Sequence, residues 1–142
     1  MPFSPSHLPV FVYGTLRPGE KNYPEYLRGK TRQEIPGWVT GRLHFVRNGG
    51  YPYLTPGEGQ VRGEIAFLRA ENYDEVLHDL DRLEEYDPQN EADSVYLRRP
   101  VIAELADGRH LKVWTYYWNE SQIHGEPVPD GDFRSVRKRP IR

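Results

Sequence analysis

A chain of 142 residues with 13 Gly, 13 Pro, ten Tyr and no Cys fits one domain, and the missing cysteines exclude a disulfide framework, a thiol nucleophile and any Cys-based metal site. Nineteen Lys and Arg oppose 21 Asp and Glu, a net charge of −2, but residues 134–142 hold five of the bases and no acid, so residues 1–133 carry −7. An acidic body lacks the basic face of a nucleic-acid binder, no apolar stretch nears the roughly 20 residues that span a bilayer, and residues 1–9 lack the basic-then-apolar order of a signal peptide; a single cytoplasmic domain over 1–133, not attached to a membrane, is expected.

In chain order, Pro9 to Leu16 predicts a strand, and the unbroken Val10-Phe11-Val12-Tyr13 suits burial on both faces. Arg17-Pro18-Gly19-Glu20 predicts a turn. A short helix is expected over 22–28, where Pro24 is tolerated only in the first turn. Trp38 to Val46 predicts a second strand, Asn48-Gly49-Gly50 a loop, and Tyr51 to Gly59 an irregular stretch punctuated by Pro52, Pro56, Gly57 and Gly59. Val61, Gly63, Ile65 and Phe67 alternate with polar residues, the pattern of a third strand. A helix is expected over 73–86: Asn72 and Glu75 have the spacing of a capping box, Tyr73, Val76, Leu77, Leu80 and Leu83 recur at helical period, and Asp87-Pro88 stops it. Val95 to Leu105 and Leu111 to Trp118 predict two strands joined at Asp107-Gly108. After Asn119 the chain is turn-rich, and residues 134–142 read as a solvated basic tail, with a contact to phosphate as the alternative. The order β-α-β-β-α-β-β predicts an α+β domain with a curved, mostly antiparallel sheet.

The helix over 73–86 holds the first chemical signal. At about 100° per residue, the apolar stripe covers about −80° to +40° when Tyr73 is set at zero. Glu84 falls near +20°, among the leucines. Asp74, Asp79, Asp81 and Glu85 fall outside, with Glu85 facing away. A carboxylate placed with leucines is costly unless paired or protonated. Two bland readings stand beside a functional one: Glu84 is tied to an Arg such as Arg98 or to a Tyr, or the helix end leaves the core. In an apolar cleft its pKa would rise toward neutrality, which suits a general acid/base. Competing machinery is missing. The five histidines show no H-E-x-x-H pattern, with His78 on the polar side of the helix; the serines sit in no G-x-S-x-G elbow, and no phosphate-binding glycine motif occurs. One carboxylate working without metal or cofactor fits the inventory. The second signal is Tyr13-Gly14-Thr15-Leu16 at the end of the first strand, where successive N–H groups can form an anion-binding concavity.

In order along the chain, Val12-Tyr13-Gly14-Thr15-Leu16-Arg17-Pro18-Gly19, Asn22, Val61-Arg62-Gly63-Glu64, Leu80-Asp81-Arg82-Leu83-Glu84-Glu85-Tyr86-Asp87, Tyr96-Leu97-Arg98 and Gly131-Asp132-Phe133 resemble the motifs of the γ-glutamylcyclotransferase-like (AIG2-like) family. The resemblance implies a small mixed β-barrel with flanking helices and a cavity at one mouth. It implies a reaction in which the free α-amine of a γ-glutamyl group attacks its own γ-carbonyl, forming 5-oxoproline and releasing an amino acid or amine. By motif position Glu84 is the catalytic residue, and Tyr13, Gly14, Thr15 and Leu16 form the substrate-binding loop. Tyr96 and Tyr116 are candidates to line the cavity; for Tyr116 a buried ring with a satisfied hydroxyl is the expected role. Arg98 would orient Glu84 or sit as a strand-surface charge. The expected partner is a small γ-glutamyl substrate, without nucleic acid, metal or cofactor. Where the family carries Gly after the catalytic Glu, this chain has Glu85: facing away on the wheel it is harmless, and the alternative is that it crowds the cavity mouth or repels an anionic substrate. Two alternatives keep the fold without the reaction: a non-catalytic pocket for a small amino-acid-like ligand, and an interaction domain using the basic tail.

Overall fold

The structure, a computed structural model, describes residues 7–119 and 125–137. Strands β1 (Val10–Val12), β2 (Thr31–Val46), β3 (Tyr51–Leu68), β4 (Tyr96–Leu105), β5 (His110–Trp118) and β6 (Glu126–Pro127) combine with helices α1 (Tyr23–Tyr26), α2 (Tyr73–Leu83) and α3 (Phe133–Val136). The pairings β3–β1, β1–β5, β5–β4, β4–β2 and β2–β3 close a five-stranded barrel, with β6 added to β2. Among the described residues only β1–β5 is parallel. This is the mixed, mostly antiparallel α+β barrel that the resemblance implied. Among the described residues no helix is long and apolar enough to cross a membrane.

The double burial of β1 explains its unbroken apolar run. Phe11 packs inside the barrel with Val39, Val61, Ile65 and Val113. Val10 and Val12 face the other way, into a second core where α2 lies on the sheet through Tyr73, Val76 and Leu80. A side-chain period of two sends neighbours to opposite faces, so a strand with a core on each side must be apolar throughout. Gly63 sits where β3 crosses β1: a Cβ there would come within 2.1 Å of the Val12 carbonyl oxygen.

Several boundaries differ from expectation. β1 stops at Val12, because Gly14 to Arg17 form a turn closed by the Arg17 N–H on the Gly14 carbonyl, 3.0 Å. β2 starts at Thr31, seven residues early, held by the β3 ladder. Tyr51 to Thr55 are strand, paired with Val46 to Arg42. The irregularity is confined to 56–59, which bulge out between the pairs Thr40–Gln60 and Arg42–Thr55. Pro56, Gly57 and Gly59 therefore punctuate a bulge inside a long strand. β6 and α3 follow Asn119 where only turns were expected. Asn72 makes no side-chain cap on α2; the 3₁₀ turn Ala70–Asn72 leads into the helix instead. The basic tail begins ordered, with Arg134 and Arg137 both on Glu20 at 3.0 Å; residues 138–142 of that tail lie outside the described residues.

Helix α2 ends at Leu83, three residues before the expected stop. Glu84 is its C-cap, and Glu85 takes φ 54°, the left-handed region. The Glu85 N–H donates to the Arg82 carbonyl at 3.1 Å and the Tyr86 N–H to the Asp81 carbonyl at 2.8 Å, the paired bonds of a Schellman cap. Glycine is the usual residue there, since a Cβ in the left-handed region costs about 1–2 kcal/mol. Glu85→Gly relieves that strain but adds about 0.4–1 kcal/mol of unfolded-chain freedom. A net gain of about 0.5–1 kcal/mol is expected, seen as a rise of a few degrees in Tm; an unchanged or lower Tm refutes the strain.

Candidate active site

One hollow of about 280 Å³ opens beside β1, and it gathers residues from three parts of the chain. The loop after β1 contributes Tyr13, Gly14, Thr15 and Leu16; the end of α2 contributes Leu83, Glu84 and Glu85; the sheet contributes Tyr96 and Tyr116. Glu84 and the six residues expected to bind substrate or line the cavity therefore share a single hollow.

The loop is shaped by its turn. In the turn from Gly14 to Arg17 the central N–H groups are left over, and among the described residues the N–H groups of Gly14, Thr15 and Leu16 donate to no acceptor. Asn22 clamps the loop, its backbone N–H donating to the Thr15 carbonyl at 2.8 Å and its side-chain amide to Thr15 Oγ1 at 2.9 Å. Gly14 is required by close approach: a Cβ would stand 2.6 Å from the Pro52 ring. Arg17 then anchors the loop. Its guanidinium grips Glu64 through two bonds, 2.8 and 3.1 Å, and Asp132 through a third, 2.9 Å. Three separated sequence motifs thus meet in one buried ion cluster.

Glu84 is half-buried and carries no ion pair among the described residues. Burial, then the nearby carboxylates of Asp81 and Glu85, push its pKa up to about 8. The acid of the helix that is tied down is Asp81, which the helical wheel left outside the stripe. Asp81 takes Arg98 at 2.8 and 3.1 Å and the Tyr116 hydroxyl at 2.6 Å. Arg98 neither orients Glu84 nor sits as a bare surface charge: it pairs with Asp81 and lies over Trp114, 4.5 Å from the ring centroid.

The tyrosines shape the cavity. Tyr13 donates to the Tyr116 carbonyl at 2.7 Å and Tyr96 to the Pro52 carbonyl at 3.1 Å. Tyr116 has the buried ring and satisfied hydroxyl expected of it. Burial raises the pKa of all three, so they stay protonated where Glu84 titrates. His78 is exposed, as its place on the helix predicted. Among the described residues no three His, Asp or Glu side chains gather as metal ligands.

Sequence reasoning passed over several lining residues, among them Lys21, Tyr51, Pro52 and Trp118. The helical wheel turned Glu85 away from the pocket, with the cavity mouth as the alternative, and the alternative holds. The left-handed turn after Glu84 breaks the helical phase on which that placement rested, and Glu85 lines the hollow.

Residues 10–135 match the family model described as "Gamma-glutamyl cyclotransferase, AIG2-like". A Niallia circulans protein, gamma-L-glutamyl-butirosin B gamma-glutamyl cyclotransferase, is 34% identical over 110 residues, which is 78% of this chain and 66% of that protein, just under two thirds of its length. A Methanocaldococcus jannaschii protein whose name proposes gamma-glutamylcyclotransferase activity is 28% identical over 138 residues, 90% of this chain and 97% of its own. Among solved structures, a mouse AIG2-like protein superposes with a TM-score of 0.61 at 20% identity, covering 94% of this chain and 96% of its own; at that identity it speaks to the fold alone.

Proposed function

The chain belongs to the gamma-glutamyl cyclotransferase, AIG2-like family, and from that we propose that it converts a γ-glutamyl amino acid or amine to 5-oxoproline and the free amino acid or amine, with Glu84 as general acid/base. The observation that carries this reading is the shared cavity: a carboxyl raised to about 8 lines the same hollow as Gly14, Thr15 and Leu16, whose N–H groups have no acceptor among the described residues.

Glu84 as carboxylate takes a proton from the substrate α-ammonium. The freed amine attacks the γ-carbonyl carbon, and the new C–N bond closes a five-membered ring. Charge collects on the carbonyl oxygen, where N–H groups of the Gly14–Leu16 loop are suited to stabilise it. The old C–N bond breaks as Glu84 returns protons to the leaving nitrogen. The two protons shed by the attacking nitrogen end on the departing amine, which leaves as an ammonium. Ring closure is intramolecular, so holding a folded conformer lowers the barrier by several kcal/mol. Tyr13, Tyr96 and Tyr116, with hydroxyls already engaged, serve as walls for that conformer.

The test is incubation with a panel of γ-glutamyl amino acids and amines, measuring 5-oxoproline and free amine in equal amounts. The expected kcat/KM rises with pH as Glu84 loses its proton and levels near pH 8; a bend near 4.5 would mean an ordinary solvated carboxyl. Ligand-induced stabilisation without release from any member of the panel overturns the reaction in favour of a binding module.

A further inference from the structure

The Asp81 and Arg98 side chains are 10% and 15% exposed. Arg98 holds both Asp81 oxygens, at 2.8 and 3.1 Å, and the Tyr116 hydroxyl donates to one of them at 2.6 Å. Arg98 and Tyr116 stand opposite each other on β4 and β5, so two strands grip one carboxylate. Arg98 is itself boxed between the rings of Tyr86, 5.6 Å to the centroid, and Trp114, 4.5 Å. A buried ion pair adds little stability over apolar side chains of the same volume, so stability alone gives no reason for a charge in this place.

Its position gives one. Asp81 precedes Glu84 by three residues, which makes the two neighbours on the helix surface. The Asp81 carbonyl also closes the helix end, accepting the Tyr86 N–H at 2.8 Å, while the Glu84 N–H donates to the Leu80 carbonyl at 2.9 Å. Side chain and main chain of one residue thus fix the turn that carries Glu84 into the hollow. Among the described residues, Tyr13 from the loop after β1, Tyr96 from β4 and Tyr116 from β5 face Glu84, all held protonated by burial, and Lys21 lines the same hollow. The negative charges beside Glu84 are Asp81 and Glu85, of which Asp81 acts more strongly. Asp81 is buried, whereas Glu85 is exposed and screened by solvent.

Resting on the cyclotransferase reading, we infer that Asp81 is a positioning residue for Glu84: gripped by Arg98 and Tyr116, it fixes the helix end that presents the Glu84 carboxyl and keeps a negative charge beside the proton that Glu84 exchanges. The experiment compares kcat/KM against pH in the parent, Asp81→Asn, Arg98→Gln and the double variant, with Tm measured for each. Both single variants break the same buried pair, so both lose stability. Only Asp81→Asn removes the charge next to Glu84, so Glu84 ionises more readily and the acid limb of the profile moves down by about one pH unit. Arg98→Gln leaves Asp81 charged, and its limb stays with the parent's or lies higher. The double variant leaves no unpaired buried charge, is expected to be closest to the parent in Tm, and keeps the lowered limb of Asp81→Asn; it carries the comparison if Asp81→Asn does not fold. A limb that stays in place without Asp81, or one that Arg98→Gln lowers as far, overturns the inference while the reaction stands. A double variant that does not fold makes the network structural alone and also overturns it. No 5-oxoproline release by the parent from any γ-glutamyl substrate overturns the proposed reaction, and this inference falls with it.

Discussion

Glu84→Gln is expected to lower kcat for 5-oxoproline release by about 10²–10⁴-fold, the range supplied by a positioned acid/base, while the fold persists. Gln keeps the shape and the polar contacts of a protonated Glu but can neither take the ammonium proton nor return it. Persistence of the fold follows from the pKa. The ordinary Glu value is 4.5, and burial with the two neighbouring carboxylates raises it to about 8. Between those values the native protein binds a proton that the unfolded chain has released, so this group's contribution to stability falls as pH rises from about 4.5 to 8. Gln removes that dependence. The variant should therefore equal the parent near pH 5 and surpass it above pH 8, read as Tm at the two pH values. Retained turnover removes Glu84 from the chemistry; a variant that loses stability most at high pH contradicts the desolvated carboxyl.

Arg17→Met should cost about 3–5 kcal/mol, the penalty for removing one partner of a buried ion pair. The Arg17 side chain is only 6% exposed, with Glu64 at 14% and Asp132 at 29%. Without the guanidinium, two carboxylates face each other in a confined site and the Gly14–Leu16 loop loses its anchor. Against a typical total of about 5–15 kcal/mol, the variant should unfold some 10 °C or more below the parent. Activity should fall even where it remains folded, since the loop N–H groups are no longer held. The contrasting change is Arg47→Met. Arg47 and Glu126 pair at 2.8 Å but are 58% and 59% exposed, and such pairs contribute at most about 1 kcal/mol. Chemical denaturation of both variants decides the point: similar losses would mean that burial does not set the value of the Arg17 cluster.

Much of this protein was legible from its residues in order. The unbroken Val10-Phe11-Val12 run announced a strand with a core on each side, because no polar residue can alternate into such a strand. The period of Tyr73, Val76 and Leu80 located α2, and its phase put Glu84 with the leucines and into the cavity. The spaced motifs pointed to the barrel and brought Tyr13, Gly14, Thr15, Leu16 and Tyr96 forward as a set. Each of these is a local signal, carried by a few neighbouring residues or by an ordered pattern.

What the chain alone left open depends on partners distant in sequence. Tyr51 to Thr55 read as irregular because prolines and glycines weaken a strand locally, yet the β2 ladder extends through them and confines the disturbance to 56–59. Asp81 sits outside the apolar stripe, but α2 rests on a sheet that supplies Arg98 and Tyr116, so a charged residue at the stripe's edge is buried by its pairing. Arg17, Glu64 and Asp132 are 47 and 115 residues apart along the chain, and only barrel closure makes them one cluster. Glu85 is the sharpest case. A wheel assumes that the helix continues; the helix ends at Leu83, two residues before Glu85, in a left-handed turn set by hydrogen bonds to Asp81 and Arg82, and that turn carried a charge to the mouth of the pocket. Periodicity determined the faces and the elements, while cross-chain pairing and the end of one helix decided which charges meet in the site.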